Sequence, residues 1–180
     1  MIMTLQTKRL ELHEMTLDDA PALFTLWSHP DVTRFMNIDR FTDEQQARDM
    51  ITLLTELAAE NKALRFSIFD RDSGELIGSC GYNHFDRDNL ITEIGYDLLP
   101  THWGKGLGTE AVGILTKHAF EVLGMNRIEA KVEAGNDASS ALLEKVGYHF
   151  EGTLREGEKS KGRYVDMKLY AILRSDWIPD

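Results

Sequence analysis

The chain has 180 residues, 42% of them hydrophobic, enough for one compact domain with a sizeable core and short for two. A formal net charge of −10 argues against nucleic acid as a partner, because phosphate contacts need basic stripes and none stands out. The single cysteine, Cys80, excludes a disulfide framework and a zinc–thiolate cluster, and no apolar run approaches the ~20 residues of a membrane span.

The opening stretch "MIMTLQTKRLELHEM" has neither the apolar core nor the cleavage site of a signal peptide, so a soluble, cytoplasmic protein is expected, with residues 1–180 forming one domain. Leu10 and Leu12 alternate with polar residues and predict a strand. Thr16 then precedes a helix carrying Ala20, Leu23, Phe24 and Trp27 on one face. Residues 28–41 read as irregular. Thr42 and Gln45 form a capping box for a second helix, whose apolar stripe is Ala47, Met50, Ile51, Leu54, Leu57 and Ala58. Three strands follow, "LRFSIFD", "ELIGSCGYNHF" and "ITEIGYDLL", separated by the turn sequences "RDSG" and "DRDN".

A third helix places Ala111, Leu115, His118, Ala119 and Val122 along one face and ends near Gly124. Strand "RIEAKVE", loop "AGND" and a short helix with Leu142, Leu143 and Val146, closed by Gly147, come next. Strands "YHFEGTLRE" and "YVDMKLYAIL" form a final hairpin over "GEKSKGR". The pattern is α+β: about seven mostly antiparallel strands and about four helices, with one helical crossover.

The stretch "THWGKGLGTEA" puts Gly104, Gly106 and Gly108 at the start of the third helix. Unpaired N–H groups and the positive end of the dipole attract an anion there, and glycines let it approach without meeting a Cβ. A diphosphate fits, ringed by the N–H groups of Gly104, Lys105, Gly106, Gly108 and Thr109, with the Lys105 ammonium nearby. A bare strand-to-helix turn explains the same spacing. A P-loop is excluded because Gly106, not Ser or Thr, follows Lys105. A dinucleotide fingerprint is met by Gly106, Gly108 and Ala111, but the preceding strand ends before "PTHW" and Glu129 falls in mid-strand, which counts against NAD.

These residues resemble the GNAT acetyltransferases, whose hallmark [QR]xxGx[GA] aligns with "WGKGLG". The ordered segments "EIGYDLLPTHWGKGLGTEA" and "NDASSALLEKVGYHFEG" resemble the core of that family. The amino-terminal "TKRLELHEMTLDDAPALFTLWSHPDVTRFM" is similar to its branch of ribosomal-protein-alanine N-acetyltransferases. The resemblance implies acetyl-CoA as cosubstrate and transfer to a primary amine by direct attack in a ternary complex. It assigns cofactor contacts to Leu98, through a backbone N–H facing the thioester oxygen, to Trp103 and the glycine loop, and to Asn136 on the pantetheine arm. Trp103 stands where Gln or Arg is usual. Leu143 stands where a tyrosine often serves as general acid, leaving Ser139 to face the cofactor sulfur. Glu93, in the strand before the loop, is the implied base.

Each of these positions has a plainer reading as well: a paired strand carboxylate for Glu93, a helix cap for Asn136, a first-turn residue for Ser139. The six histidines show no metal-ligand spacing, so no metal is expected, and Cys80 reads as a buried strand residue. An α-amine, with a free pKa of ~7.7–8 against ~10.4 for lysine, is the easier acceptor to deprotonate. The expected partners are therefore acetyl-CoA and either a peptide amino terminus or a small amine such as a polyamine, amino sugar or amino acid, with a homodimer left open. A non-catalytic CoA-binding module and an NAD-dependent oxidoreductase are the rival classes.

Overall fold

The computed structural model describes residues 3–179. Strands β1 (Thr4–Gln6), β2 (Leu10–Glu14), β3 (Leu64–Asp70), β4 (Leu76–Asp86), β5 (Ile91–Leu98), β6 (Arg127–Glu133), β7 (His149–Ser160) and β8 (Arg163–Leu173) form one sheet in the order β1-β2-β3-β4-β5-β6-β8-β7. Helices α1 (Ala20–Ser28), α2 (Pro30–Thr33), α3 (Glu44–Ala59), α4 (Leu107–Glu121) and α5 (Asp137–Val146) cover it. The α+β architecture agrees with expectation. The additions are the three-residue edge strand β1 and the single-turn α2, both too short to carry a period that can be read locally.

Apolar alternation divides the core between the two faces of the sheet. Leu10, Leu12, Phe66, Ile68, Ile77, Ile94 and Ile128 pack with α4 residues such as Ala111, Leu115 and Ala119, and with Leu143 of α5. Leu23, Leu26 and Trp27 of α1 pack with Ala47 and Ile51 of α3 on the opposite face. At about 25 cal/mol per Å² of apolar surface, burying each such side chain stabilises by roughly 1.5–3 kcal/mol before entropy is charged.

Local details differ from the sequence reading. The cap of α3 is Asp43 with Gln46, one residue beyond the expected Thr42 and Gln45, because the Asp43 carboxylate accepts from Gln45 N–H at 2.8 Å. Val122 lies past the end of α4 and is 69% exposed. The last hairpin is tighter than expected: Ser160 pairs with Arg163 across Lys161 and Gly162, both at positive φ (50° and 85°), as a two-residue type I′ turn requires.

Every neighbouring strand pair is antiparallel except β5 and β6, joined through α4. A sheet with this pattern is not the parallel sheet of a dinucleotide-binding domain. Strands β5 and β6 pair only from Ile91–Ile94 with Arg127–Ala130, and then both run on without each other, to Leu98 and Glu133. On the far side of β5, strand β4 carries a bulge between Tyr82 and His84, opposite Ile94 and Glu93. A bulge bends its strand and increases twist, and this one lies at the level where β5 leaves β6.

Candidate active site

The parted strands open a cavity of about 700 Å³ that runs through the sheet. One side is built by β5, the glycine loop and α5. The other is built by β6 and by Asp31, Val32, Arg34, Phe35 and Met36, in and after α2. Of the residues singled out by sequence, Leu98, Trp103, Gly104, Gly106, Gly108, Thr109, Asn136 and Ser139 line this one space.

The loop geometry follows from its glycines. Gly104 and Gly106 have φ of 72° and 79°, the left-handed region that other residues enter at a cost, and Gly106 is the N-cap of α4. Glu110 N–H makes the first helical bond to Gly106 O at 3.1 Å, so the N–H groups of Gly106, Leu107, Gly108 and Thr109 have no partner within the helix. Leu107 was not named from sequence, because the start of the helix sets which amides are free. At Gly108 a Cβ would sit 2.6 Å from Leu142 Cδ1, so this glycine lets α4 pack against α5.

Lys105 does not line the cavity. Its carbonyl accepts from Arg9 Nη1 at 2.8 Å, and Arg9 Nε pairs with Glu110 at 2.8 Å, bracing the loop from the β1–β2 turn. Burial alone would raise the Glu110 pKa, but hydrogen bonds from Thr7 and Arg9 outweigh it and hold the carboxylate below its ordinary range. Nothing local in the sequence joins Arg9 to this loop.

Leu98 is oriented by its strand neighbour. Leu99 N–H donates to Ile77 O at 2.8 Å, so in the antiparallel ladder Leu98, one residue earlier, turns its N–H and C=O away from β4 and toward the opening. Trp103, 49% exposed, donates from Nε1 to Leu98 O at 2.9 Å. Asn136 caps α5: its Oδ1 accepts from Ser139 N–H at 3.3 Å. Its cap role is thus real, while the remaining amide NH₂ has no protein partner among the described residues.

Tyr96, overlooked in the sequence, donates its hydroxyl to Ser139 Oγ at 2.9 Å. Burial raises the Tyr96 pKa, and its hydrogen bond to Ser139 opposes this only in part, so the phenol stays protonated at neutral pH. Leu143, at the family's tyrosine position, is only 1% exposed and belongs to the core.

Glu93 stands apart from the residues that line the cavity. Its Oε1 lies 3.3 Å from Lys131 Nζ, its Oε2 accepts from Asn83 at 3.0 Å, and it does not line the cavity. The register places Glu93 on the last rungs before the strands part, where a carboxylate meets the neighbouring strand's side chains before it meets the opening. Beneath the same face, Asp97 is buried against Arg65 (3.1 Å) and Ser79 (2.8 Å). Burial pushes the Asp97 carboxyl up, against the pull of Arg65 and Ser79. Among the described residues, no group of three His, Cys, Asp or Glu could hold a metal ion, and no helix is long and apolar enough to cross a membrane.

Comparison with known proteins agrees with this architecture. Residues 9–149 match the acetyltransferase (GNAT) domain. The chain is 48% identical over 174 residues to the uncharacterized N-acetyltransferase p20 of Bacillus licheniformis, covering 97% of this chain and 98% of that one. It is 28% identical over 172 residues to the ribosomal-protein-serine acetyltransferase of Escherichia coli, covering 92% and 93%. Spermidine N-acetyltransferase from Vibrio cholerae, solved with CoA and spermine, superposes with a TM-score of 0.82 at 22% identity, over 94% of this chain and 98% of that one. The chain belongs to the GNAT acetyltransferase family, acyltransferases whose donor is acetyl-CoA.

Proposed function

We propose that the protein transfers acetyl from acetyl-CoA to the primary amine of an acceptor, with a peptide α-amine as the leading acceptor and a small amine as the second reading. The observation that carries this is the cavity through the parted strands, which is lined together by a glycine-rich helix start with free amides, a strand residue whose amide turns from its neighbour, and a hydroxyl pair.

The roles follow from what each group can do. Free amides of Gly106, Leu107, Gly108 and Thr109, at the positive end of α4, receive the pyrophosphate. Leu98 N–H faces the thioester oxygen, where negative charge develops as the amine attacks. The Asn136 NH₂ is placed for the pantetheine amides. Ser139 accepts from Tyr96, so its own proton is directed elsewhere, toward the departing sulfur. Tyr96 thus supplies from β5 a hydroxyl that Leu143 cannot supply from α5. A free thiol has a pKa of ~8.5, so modest hydrogen-bond help is enough for the leaving group.

The acceptor side is walled by Phe35, Met36 and Val32 with Asp31 and Arg34 at its edge, and the chain carries a net charge of −10. A relative named for acetylating a ribosomal protein supports the peptide acceptor, and a structural neighbour named for spermidine supports the small amine. Incubation with isotope-labelled acetyl-CoA and a cell peptide extract, followed by mass spectrometry, tests the reading. Label on α-amines is the expected result. Label confined to polyamines or amino sugars replaces the acceptor, and no label on any amine refutes the function.

A further inference from the structure

We infer that Glu133 is the carboxylate that receives the acceptor's ammonium group and takes its first proton, an inference that rests on the amine-acetylating function proposed above. Glu133 ends β6, three residues past the last rung shared with β5, and lines the cavity. It is only 7% exposed, yet among the described residues it has no ion-pair or side-chain hydrogen-bond partner. Its carboxylate oxygens open on the cavity, where an entering cation would be their first ion-pair partner.

The other carboxylates of the cavity do not share this condition. Asp97 is held by Arg65 and Ser79, and Asp31 is exposed in the short α2. Glu93, outside the cavity wall, pairs with Lys131 at 3.3 Å and accepts from Asn83 through Oε2, although its buried Oε1 has no hydrogen-bond partner among the described residues. The charged groups on the elements around Glu133 are Arg127, Glu129 and Lys131 on β6 itself, Glu93 and Asp97 on β5, Arg163, Asp166 and Lys168 on β8, Asp31 and Arg34 at α2, and Asp137, Glu144 and Lys145 on α5. None of the cations among them lies within ion-pair distance of Glu133; Lys131 turns to Glu93, and Arg34 lies over the Phe35 ring at 4.8 Å.

Position supports the same role. Side chains alternate along a strand, so Glu133 projects on the side of Lys131, the acceptor side, while Val132 joins the core under α4 and α5. At about 3.3 Å per residue, Glu133 lies roughly 10 Å beyond the last shared rung and Leu98 roughly 13 Å, at similar depth on the two walls. An acceptor nitrogen held at Glu133 therefore comes in facing the thioester that Leu98 holds.

The protons balance. A primary ammonium gives one proton to the Glu133 carboxylate, and the freed lone pair forms the C–N bond as the C–S bond breaks with its electrons on sulfur. The second proton lost by nitrogen is matched by the one that sulfur gains through Ser139, and Glu133 then releases its proton to water.

The test is Glu133→Gln, assayed by thiol release with acetyl-CoA and, as acceptors, spermidine, glucosamine and a short peptide with a free α-amine. At pH 7 the variant is expected to lose about 10²-fold or more in kcat/KM for the amine. It should regain about tenfold per pH unit up to the amine's own pKa, since only amine already neutral can then react. Affinity for CoA by calorimetry should stay within about twofold, the thermal midpoint should hold because the carboxylate has no side-chain partner to lose, and Glu133→Asp should recover part of the rate. A variant rate within threefold of native, an unchanged pH profile, or an acid limb removed by Glu93→Gln and not by Glu133→Gln overturns the inference. If the native protein acetylates none of these amines, the proposed function fails and the inference falls with it. A lowered midpoint in Glu133→Gln, showing that the carboxylate has a structural partner, also overturns it.

Discussion

Removing the Tyr96 hydroxyl separates a relay from two independent contacts. Tyr96→Phe deletes the 2.9 Å hydrogen bond to Ser139 Oγ and leaves the ring packed against the core. A neutral hydrogen bond of this kind contributes about 1 kcal/mol, so losing the orientation it gives Ser139 lowers kcat about fivefold. Ser139→Ala removes the donor itself and lowers kcat by about 10², the lower end for general-acid assistance. If Tyr96 acts only through Ser139, the double variant is no slower than Ser139→Ala alone, and a coupling of about 1 kcal/mol appears in the cycle. Because burial keeps the phenol protonated, the effect of Tyr96→Phe should not vary from about pH 6 to 9. Thiol release at saturating acetyl-CoA measures kcat, with calorimetry confirming that CoA still binds. Effects that simply add in the double variant refute the relay.

Gly106→Ala forces an L side chain to φ 79° with its Cβ 3.3 Å from Arg9 Nη2, whereas Gly104→Ala meets similar strain, at φ 72°, in open space. Strain of about 1–2 kcal/mol at Gly106 should weaken CoA binding about tenfold, and Gly104→Ala should weaken it less; equal, unchanged affinities by calorimetry contradict the loop assignment. Arg65→Leu leaves Asp97 buried without its guanidinium and should lower unfolding free energy by about 3–5 kcal/mol in urea titration, with a loss under 1 kcal/mol as the contrary result. Burial pushes the Cys80 thiol up to about 12, so the native protein should resist iodoacetamide at neutral pH and label only on unfolding; fast native labelling refutes its burial.

Much of the candidate site was readable because its signals are local. Gly104, Gly106 and Gly108 sit beside the helix they open, and Asn136 caps the helix whose first turn holds Ser139, so neighbours in the chain are neighbours in the site. The surroundings of Glu93 were not readable, for a reason equally physical. Strand alternation places a side chain on one of two faces but says nothing of where strands separate. Here they separate just beyond Glu93, so its carboxylate meets Lys131 and Asn83.

By itself the amino-acid sequence determined the period and order of the elements, the glycine-lined start of α4 and the family resemblance, since helix, strand and cap preferences act over a few residues. Tertiary structure alone decided the pairings across distance: Tyr96 with Ser139, 43 residues apart, Arg65 with Asp97, 32 apart, and the Arg9 side chain with the Lys105 carbonyl, 96 apart. It also decided that β5 and β6 part after Ile94 and Ala130, leaving Glu133 buried in the opening. Such contacts depend on sheet register and on a bulge in the adjacent strand, which no short window of the chain contains.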